Sequence, residues 1–147
     1  MTDAIIPGGT QIDSLRQNEF EVHLEGQVLK GIFSVSGLVT FKLDIKPSQS
    51  KLMYDPITLV KMVQRDPELP FNKWLRETVA AGDDIQRPSR ALAIVALDDG
   101  IEIRRWTLNG AWISAIAYST FSPANVDLVE ETLTIHYQNL SEAWAGA

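Results

Sequence analysis

A chain of 147 residues with 45% hydrophobic content can hold one domain around a single core and leaves too little for two. Its formal charge of −6 argues against a nucleic-acid backbone as the main ligand, because such binding neutralises phosphates with Lys and Arg. There is no cysteine, which removes disulfide frameworks and thiolate metal sites. The opening "MTDAIIPGGT" has neither a basic n-region nor an apolar h-region, and no run of about 18 apolar residues occurs. The expectation is a soluble, cytoplasmic protein with no membrane insertion.

Residues 1–18 read as an N-terminal arm, since "IIPGGTQIDS" has turn residues and no sustained period. From Glu19 the pattern becomes that of a half-buried strand: Phe20, Val22 and Leu24 alternate with Glu21, His23 and Glu25, and Gly26 ends it. A second run from Phe33 to Ile45 puts Phe41, Leu43 and Ile45 on one side and Lys42 and Asp44 on the other. "KPSQSKLMYDP" reads as a polar loop, and "ITLVKMV" as another strand. The helix expected at about 67–81 has Asp66 as N-cap and Pro67 at its first position, with Pro70 as the alternative start one turn later. Its apolar stripe is Phe71, Trp74, Leu75, Thr78 and Val79, with Asn72, Lys73, Arg76 and Glu77 facing water and Gly82 ending it.

"ALAIVAL" (91–97) is apolar throughout, as in a strand covered on both faces, and "DDG" marks a tight turn into "IEIRRWTL". Ile101 and Ile103 share one parity and Trp106 and Leu108 the other, so either a bulge intervenes or both faces are covered. "AWISAIAYSTF" and "VDLVEETLTIHYQNL" complete the series, the last with Val129, Glu131, Leu133, Ile135 and Tyr137 on one face. The sum is roughly seven strands and one helix: a mainly β, antiparallel sandwich or barrel over residues 19–140, followed by a C-terminal tail at 141–147.

Chemistry is sparse. His23 and His136 lie on the polar parity of their strands, read as exposed, and have no third ligand at metal-binding spacing. Adjacent Glu130 and Glu131 point to opposite faces, and the Asp83–Asp84 and Asp98–Asp99 pairs sit in turns. Ser34 and Ser36 lack a nucleophile elbow, and the glycines form no phosphate-cradling loop. Neither a cofactor nor a metal is expected. Trp74 belongs to the helix stripe; Trp106 and Trp112 are expected to pack across a turn at "TLNGA". Trp144, in a short tail with little core of its own, is the candidate for contact with another chain.

The order of "FEVHLEG", "GIFSVSGL" with "FKLDI", "ITLVKMV", "FNKWL", "LAIVALDDG", "RRWTLNGAW" and "VDLVEETLTIHYQNL" resembles the tail-tube and inner-tube proteins of contractile phage tails and contractile injection systems. The resemblance runs from about Glu19 to Leu140. It implies a tail-tube-like fold with an extended hairpin, and a non-enzymatic structural subunit that forms stacked hexameric rings around a lumen through which cargo passes. The alternative within the same machine is a baseplate-proximal initiator or adaptor ring; the alternative from another class is a monomeric carbohydrate-binding β-sandwich. The implied partners are further copies of the chain, sheath, baseplate and spike proteins, a tube terminator cap and the cargo. The implied place is a phage tail or tail-like particle. The subunit-interface candidates are Ile32, Phe33, Val35, Leu38, Phe41 and Trp144. The lumen or outer-surface candidates are Glu21, Glu25, Lys42, Asp44, Thr132, Thr134 and His136, and the net charge leads to the expectation of an acidic lumen.

Overall fold

A computed structural model describes residues 13–147. Residues 1–12 of the expected arm lie outside the described residues. The chain forms β1 (Phe20–Leu24), β2 (Gln27–Leu29), β3 (Ile32–Ser36), β4 (Leu43–Lys46), β5 (Gln49–Leu52), β6 (Ile57–Met62), α1 (Pro70–Ala81), β7 (Arg90–Asp98), β8 (Ile101–Tyr118), β9 (Glu130–His136) and β10 (Asn139–Trp144). The fold is mainly β and antiparallel with one helix, as the sequence implies.

Two layers share one strand. The first runs β2-β1-β7-β8 with β10 on the other side of β8; the second continues from β8 through β9 and β6 to β3. β8 spans 18 residues, pairing with β7 and β10 in its first half and with β9 from Trp112 to Tyr118. At the handover Gly110 has φ +63, and a Cβ there would meet the Gln138 side chain at 2.8 Å. The left-handed φ favours glycine, and a larger residue would also have to push the exposed Gln138 side chain aside. "TLNGA" is therefore a bend inside one strand, and Trp106 and Trp112 go to different layers instead of packing on each other.

The core fills the space between the layers. Val22, Leu24, Leu92, Ile94 and Leu108 come from the first; Ile57, Leu59, Ile113, Leu133 and Ile135 from the second. The register shift in β8 opposite Ala96 and Leu97 is the bulge that the change of parity between Ile103 and Trp106 requires. The "DDG" hairpin also stands, with positive φ at both Asp99 and Gly100, the combination a two-residue turn of matching twist demands.

α1 begins at Pro70, not at 67. A proline drives the residue before it out of the helical region, so Leu69 is extended (ψ 142) and becomes an N-cap without a side-chain bond. Asp66 instead shapes the turn ahead, its Oδ1 accepting from the Glu68 amide at 2.9 Å. The buried face also differs from the expected stripe: Val79 is 69% exposed, whereas Asn72 is buried and donates to the carbonyls of Gln64 and Asp66. Trp74 is fully buried and donates its indole N–H to Pro88.

Two charges sit inside this core. Lys61 and Glu131 are directly opposite in the β6–β9 register and are 1% and 3% exposed; their side chains meet at 2.8 Å. Each shares the inward parity of its strand, with Leu59 and Leu133. The Lys61 ammonium also donates to the Met62 carbonyl and lies 5.2 Å from the Phe71 ring centroid on α1. Desolvating either charge alone costs several kcal/mol, so each makes the other tolerable. Lys61→Ala or Glu131→Ala is expected to cost about 3–5 kcal/mol in denaturant unfolding, while the Lys61→Met/Glu131→Leu double variant recovers most of that loss. Equal loss in single and double variants would show that the pair is not the source.

Candidate assembly surfaces

Among the described residues β3 pairs on one side only, with β6, and the Trp112–Tyr118 half of β8 pairs only with β9. The second layer is thus a four-stranded sheet with both edges open. Five of the six candidate contact residues lie on or just after β3, and they divide. Ile32, Val35 and Leu38 are partly buried against the chain's own core, whereas Phe33, where the β3–β6 register shifts, is 41% exposed and Phe41 is 70% exposed. A groove of about 730 Å³ runs between β3 and the first layer, walled by Phe20, Ile32, Phe33, Ile94 and Trp106.

Residues 43–52, expected as the end of one strand and a polar loop, form the separate β4–β5 hairpin. Its polar half has no alternating pattern to announce a strand; backbone pairing with β4 makes it one. The hairpin is two-faced. Phe41, Leu43, Ile45 and Leu52 share one side, all exposed, and Lys42, Asp44, Lys46 and Lys51 the other. Lys42 pairs with Asp55 at 3.0 Å and Lys46 with Asp44 at 3.4 Å. Lys42 and Asp44 therefore sit on the hairpin and away from both main layers.

The outward face of the second layer is almost uncharged. Cross-strand rows read Ser36, Thr58, Thr134, Ala115 and then Ser34, Val60, Thr132, Ala117. Thr132, Thr134 and His136 share it. His136 is not an isolated exposed histidine: it stacks on Trp112 at 4.5 Å, and its Nε2 lies 2.9 Å from Ser114 Oγ.

The first layer's outward face is where charge gathers. Glu21 Oε1 contacts His23 at 3.0 Å, and Arg105 grips both carboxylate oxygens of Glu102 at 3.0 and 2.9 Å. The His23 side chain is only 13% exposed, wedged between these groups. Their long side chains cover Ala93 and Val95, which explains why β7 is buried on both faces. Arg105's bidentate grip holds the Glu102 carboxyl below its ordinary range. Glu25 stands at the β1–β2 turn, its carboxylate accepting from the Ala91 amide.

The tail expected at 141–147 is a strand as far as Trp144, since β10 pairs with β8 from Asn139 to Trp144. Trp144 remains 53% exposed, but one face is taken by the Arg104 guanidinium at 3.6 Å. Glu142 ties the cluster together, accepting from Arg104 at 2.7 Å and from the Trp106 indole at 2.6 Å. The sequence signal for this strand is the alternation of Leu140, Glu142 and Trp144, too short to separate from a tail without its partner.

Among the described residues no group of three His, Asp or Glu is placed to hold a metal, and no helix is long and apolar enough to cross a membrane. What these surfaces offer is edge pairing and apolar burial. Open edges on one layer of a sandwich and a projecting hairpin are features suited to edge-to-edge contact. The family model for the T4-like virus tail tube protein gp19 matches residues 16–141, and the chain belongs to that family. No curated protein matches the sequence. Among solved structures, the fold is similar to a chain from the anti-feeding prophage tube terminating cap (16% identity, 97% of each chain, TM-score 0.74). It is also similar to one from the sheath–tube complex of the extracellular contractile injection system PVC (14% identity, 90% of this chain and 93% of that one, TM-score 0.69). Hcp1 from Flavobacterium johnsoniae is a more distant likeness (10% identity, 86% and 96%, TM-score 0.57).

The Glu142 cluster gives a pH prediction. Hydrogen bonds from Arg104 first, then from Trp106 and Trp144, lower the Glu142 pKa, so its contribution is complete above the unfolded carboxylate value of about 4.3 and is lost as pH falls through the folded one. Protection factors of the β10 amides, their exchange corrected for the intrinsic pH dependence, should hold at neutral pH and fall only in acid. Glu142→Ala should make those amides exchange faster at neutral pH and flatten the acid response; unchanged exchange in that variant would count against the clamp.

Proposed function

We propose that the chain is a non-enzymatic structural subunit of the inner tube of a contractile injection system or contractile phage tail, its copies closing into rings around a lumen. The observation that carries this reading is the strand direction in the second layer. β3, β6, β9 and β8 alternate in direction, and the two outer strands are open. A copy rotated about an axis along the strands brings its β8 beside the first copy's β3, antiparallel again, so each seam repeats the pattern within the sheet. Ring closure leaves no open edge in this sheet, which is what an edge strand otherwise needs charge or cover to manage.

The hexamer implied by the family resemblance would give a barrel of about 24 strands, beyond the 16–18 at which a barrel already encloses a water-filled channel. The uncharged Ser/Thr/Ala rows then line the lumen, with Thr132, Thr134 and His136 among them. Glu21 and Glu25 face outward with the first layer. The net charge thus belongs to the exterior, and a nearly neutral lumen replaces the acidic one expected from composition. Glu130, at the end of β9 opposite Met62, is the one carboxylate of this face among the described strands, and the rows of short hydroxyls and methyls beyond it offer passing cargo no fixed charge. Phe33 and Phe41 serve the subunit contact, with Ile32, Val35 and Leu38 bracing them from the core side. Trp144, gripped by Arg104, adds a half-exposed indole at the rim. The mechanical role follows from the family: a contracting sheath drives the tube, built on a baseplate and spike and closed by a cap, through a target envelope.

A carbohydrate-binding monomer is less favoured because the four tryptophans are already engaged: Trp74 by the core, Trp112 by His136, and Trp106 and Trp144 by Arg104 and Glu142. Size-exclusion chromatography with negative-stain microscopy tests the reading. The wild type should give rings, and a monomer at all concentrations would refute it. Phe41→Asp, at an exposed position, should change unfolding stability by less than about 0.5 kcal/mol yet shift the protein toward monomer. Leu38→Asp should impair both, because Leu38 packs on the core.

A further inference from the structure

The sequence holds a single Asn–Gly pair, Asn109–Gly110, and the fold puts it where β8 passes from the first layer to the second. Asparagine before glycine is a chemically weak link. Glycine has no Cβ to shield its amide, so that nitrogen can attack the side-chain carbonyl carbon of the asparagine. An N–Cγ bond forms and closes a succinimide ring; the Cγ–Nδ2 bond breaks, and ammonia leaves with the proton that the glycine amide gives up. Water then opens the ring at either carbonyl, giving aspartate or isoaspartate, the second with an extra methylene in the main chain. The bend favours glycine at 110, with φ +63, so the bend and the weak link come together.

The native strand opposes this reaction. In extended backbone the Asn109 Cα–C bond is turned so that the Gly110 nitrogen points away from Cγ, and the ring closes only if that bond rotates. The restraint on that rotation comes almost entirely from one side. Towards β7 the register shifts between Arg90 and Leu92, whose partners are Ala111 and Leu108, so neither Asn109 nor Gly110 has a directly paired residue there. Towards β10, Asn109 pairs with Asn139, the first residue of that strand, and its carbonyl accepts from the Gln138 amide at 2.9 Å. The side-chain amide is held on the same side: Nδ2 donates to Asn139 Oδ1 at 2.8 Å and to Ser141 Oγ at 3.1 Å. Asn139 and Ser141 are exposed, and among the described residues β10 pairs with β8 alone. A strand held on one side with solvated hydrogen bonds is among the first to open.

We propose that Asn109 is a site of spontaneous deamidation whose rate is set by the opening of β10. While β10 is seated the amide is locked; when it lifts away, the succinimide forms. The product damages the strand that both layers share. Isoaspartate inserts a methylene between the residues of β8 paired with β7 and β10 and those paired with β9, so one set must lose its register. A carboxylate at 109 also removes the donor that Asn139 and Ser141 accept from. A reversible opening thus becomes a permanent mark on chains whose β10 has come loose.

Site-resolved mass spectrometry of the full chain incubated at constant neutral pH tests this, with isoaspartyl methyltransferase labelling to detect the rearranged product. Asn109 in the folded wild type should deamidate at least about a hundredfold more slowly than in the same chain held unfolded in urea, because openings of a paired strand are rare. Asn139→Ala/Ser141→Ala should raise the folded rate at least about tenfold, since two hydrogen bonds to the amide are lost. Glu142→Ala acts at the other end of β10, on Arg104 and Trp106, and should raise it at least about threefold if the whole strand is the lock. Asn109→Gln, whose longer side chain disfavours the ring, should give no isoaspartate at 109 and keep its folded fraction while the aged wild type loses its own in step with conversion. Wild-type deamidation at the unfolded rate, or no acceleration in the β10 variants, would overturn the proposal. So would an aged wild type that unfolds no more than Asn109→Gln. Should the double variant fail to fold, Glu142→Ala decides whether β10 is the lock.

Discussion

Every other feature of the molecule depends on β8 being one unbroken strand. Its first half donates and accepts on both sides, to β7 and β10, and its second half, among the described residues, on one side only, to β9. Backbone groups in a sheet must be paired or solvated, so the same strand that seals the first layer leaves an edge in the second. Gly110 makes this possible by bending the chain where a side chain would strike Gln138. A sandwich whose layers were joined by ordinary loops would have no reason to leave that half-strand bare.

The distribution of charge follows the same division. The face with Glu21, His23, Arg105 and Glu102 is dense with ion pairs, and the other outward face carries hydroxyls and methyls. Exposed ion pairs contribute little to stability individually, so the first face has more to do with solubility and with covering Ala93 and Val95 than with holding the fold. A β face with so few charges is unusual for permanent exposure to bulk water, and it is reasonable only if its surroundings are special. Edge strands, hairpin and neutral face are the features on which the proposed assembly rests.

Much of this was legible before the structure. Period-two alternation located β1 and β9, a β-rich run located β6, the continuous apolar run located β7, and Asp99–Gly100 gave its turn, because burial of one or both faces imposes a pattern on side chains. What escaped was set by backbone pairing or by neighbours. β5 and β10 are too short or too polar to show a period, the helix start was decided by what Pro70 forbids at Leu69, and Asn72 is buried because two loop carbonyls need a donor. The family resemblance indicated the type of assembly, and the alternation of Thr132, Thr134 and His136 was visible. Which layer those threonines faced depended on the register of four strands. Lys61 could have been found: it stands two residues after Leu59 in an inward row, opposite the parity that a solvated lysine would take.

That lysine has a mechanical meaning. Sliding β6 past β9 by two residues would keep the inward and outward rows intact and so cost little in apolar burial, which makes it the slip that a sheet loaded along its strands is most prone to. Here such a slip would place an ammonium group against leucine in a dry interior and strand its counter-charge as well. The Lys61–Glu131 contact therefore acts as a shear pin, locking the register of β6 on β9 against a load along the strands.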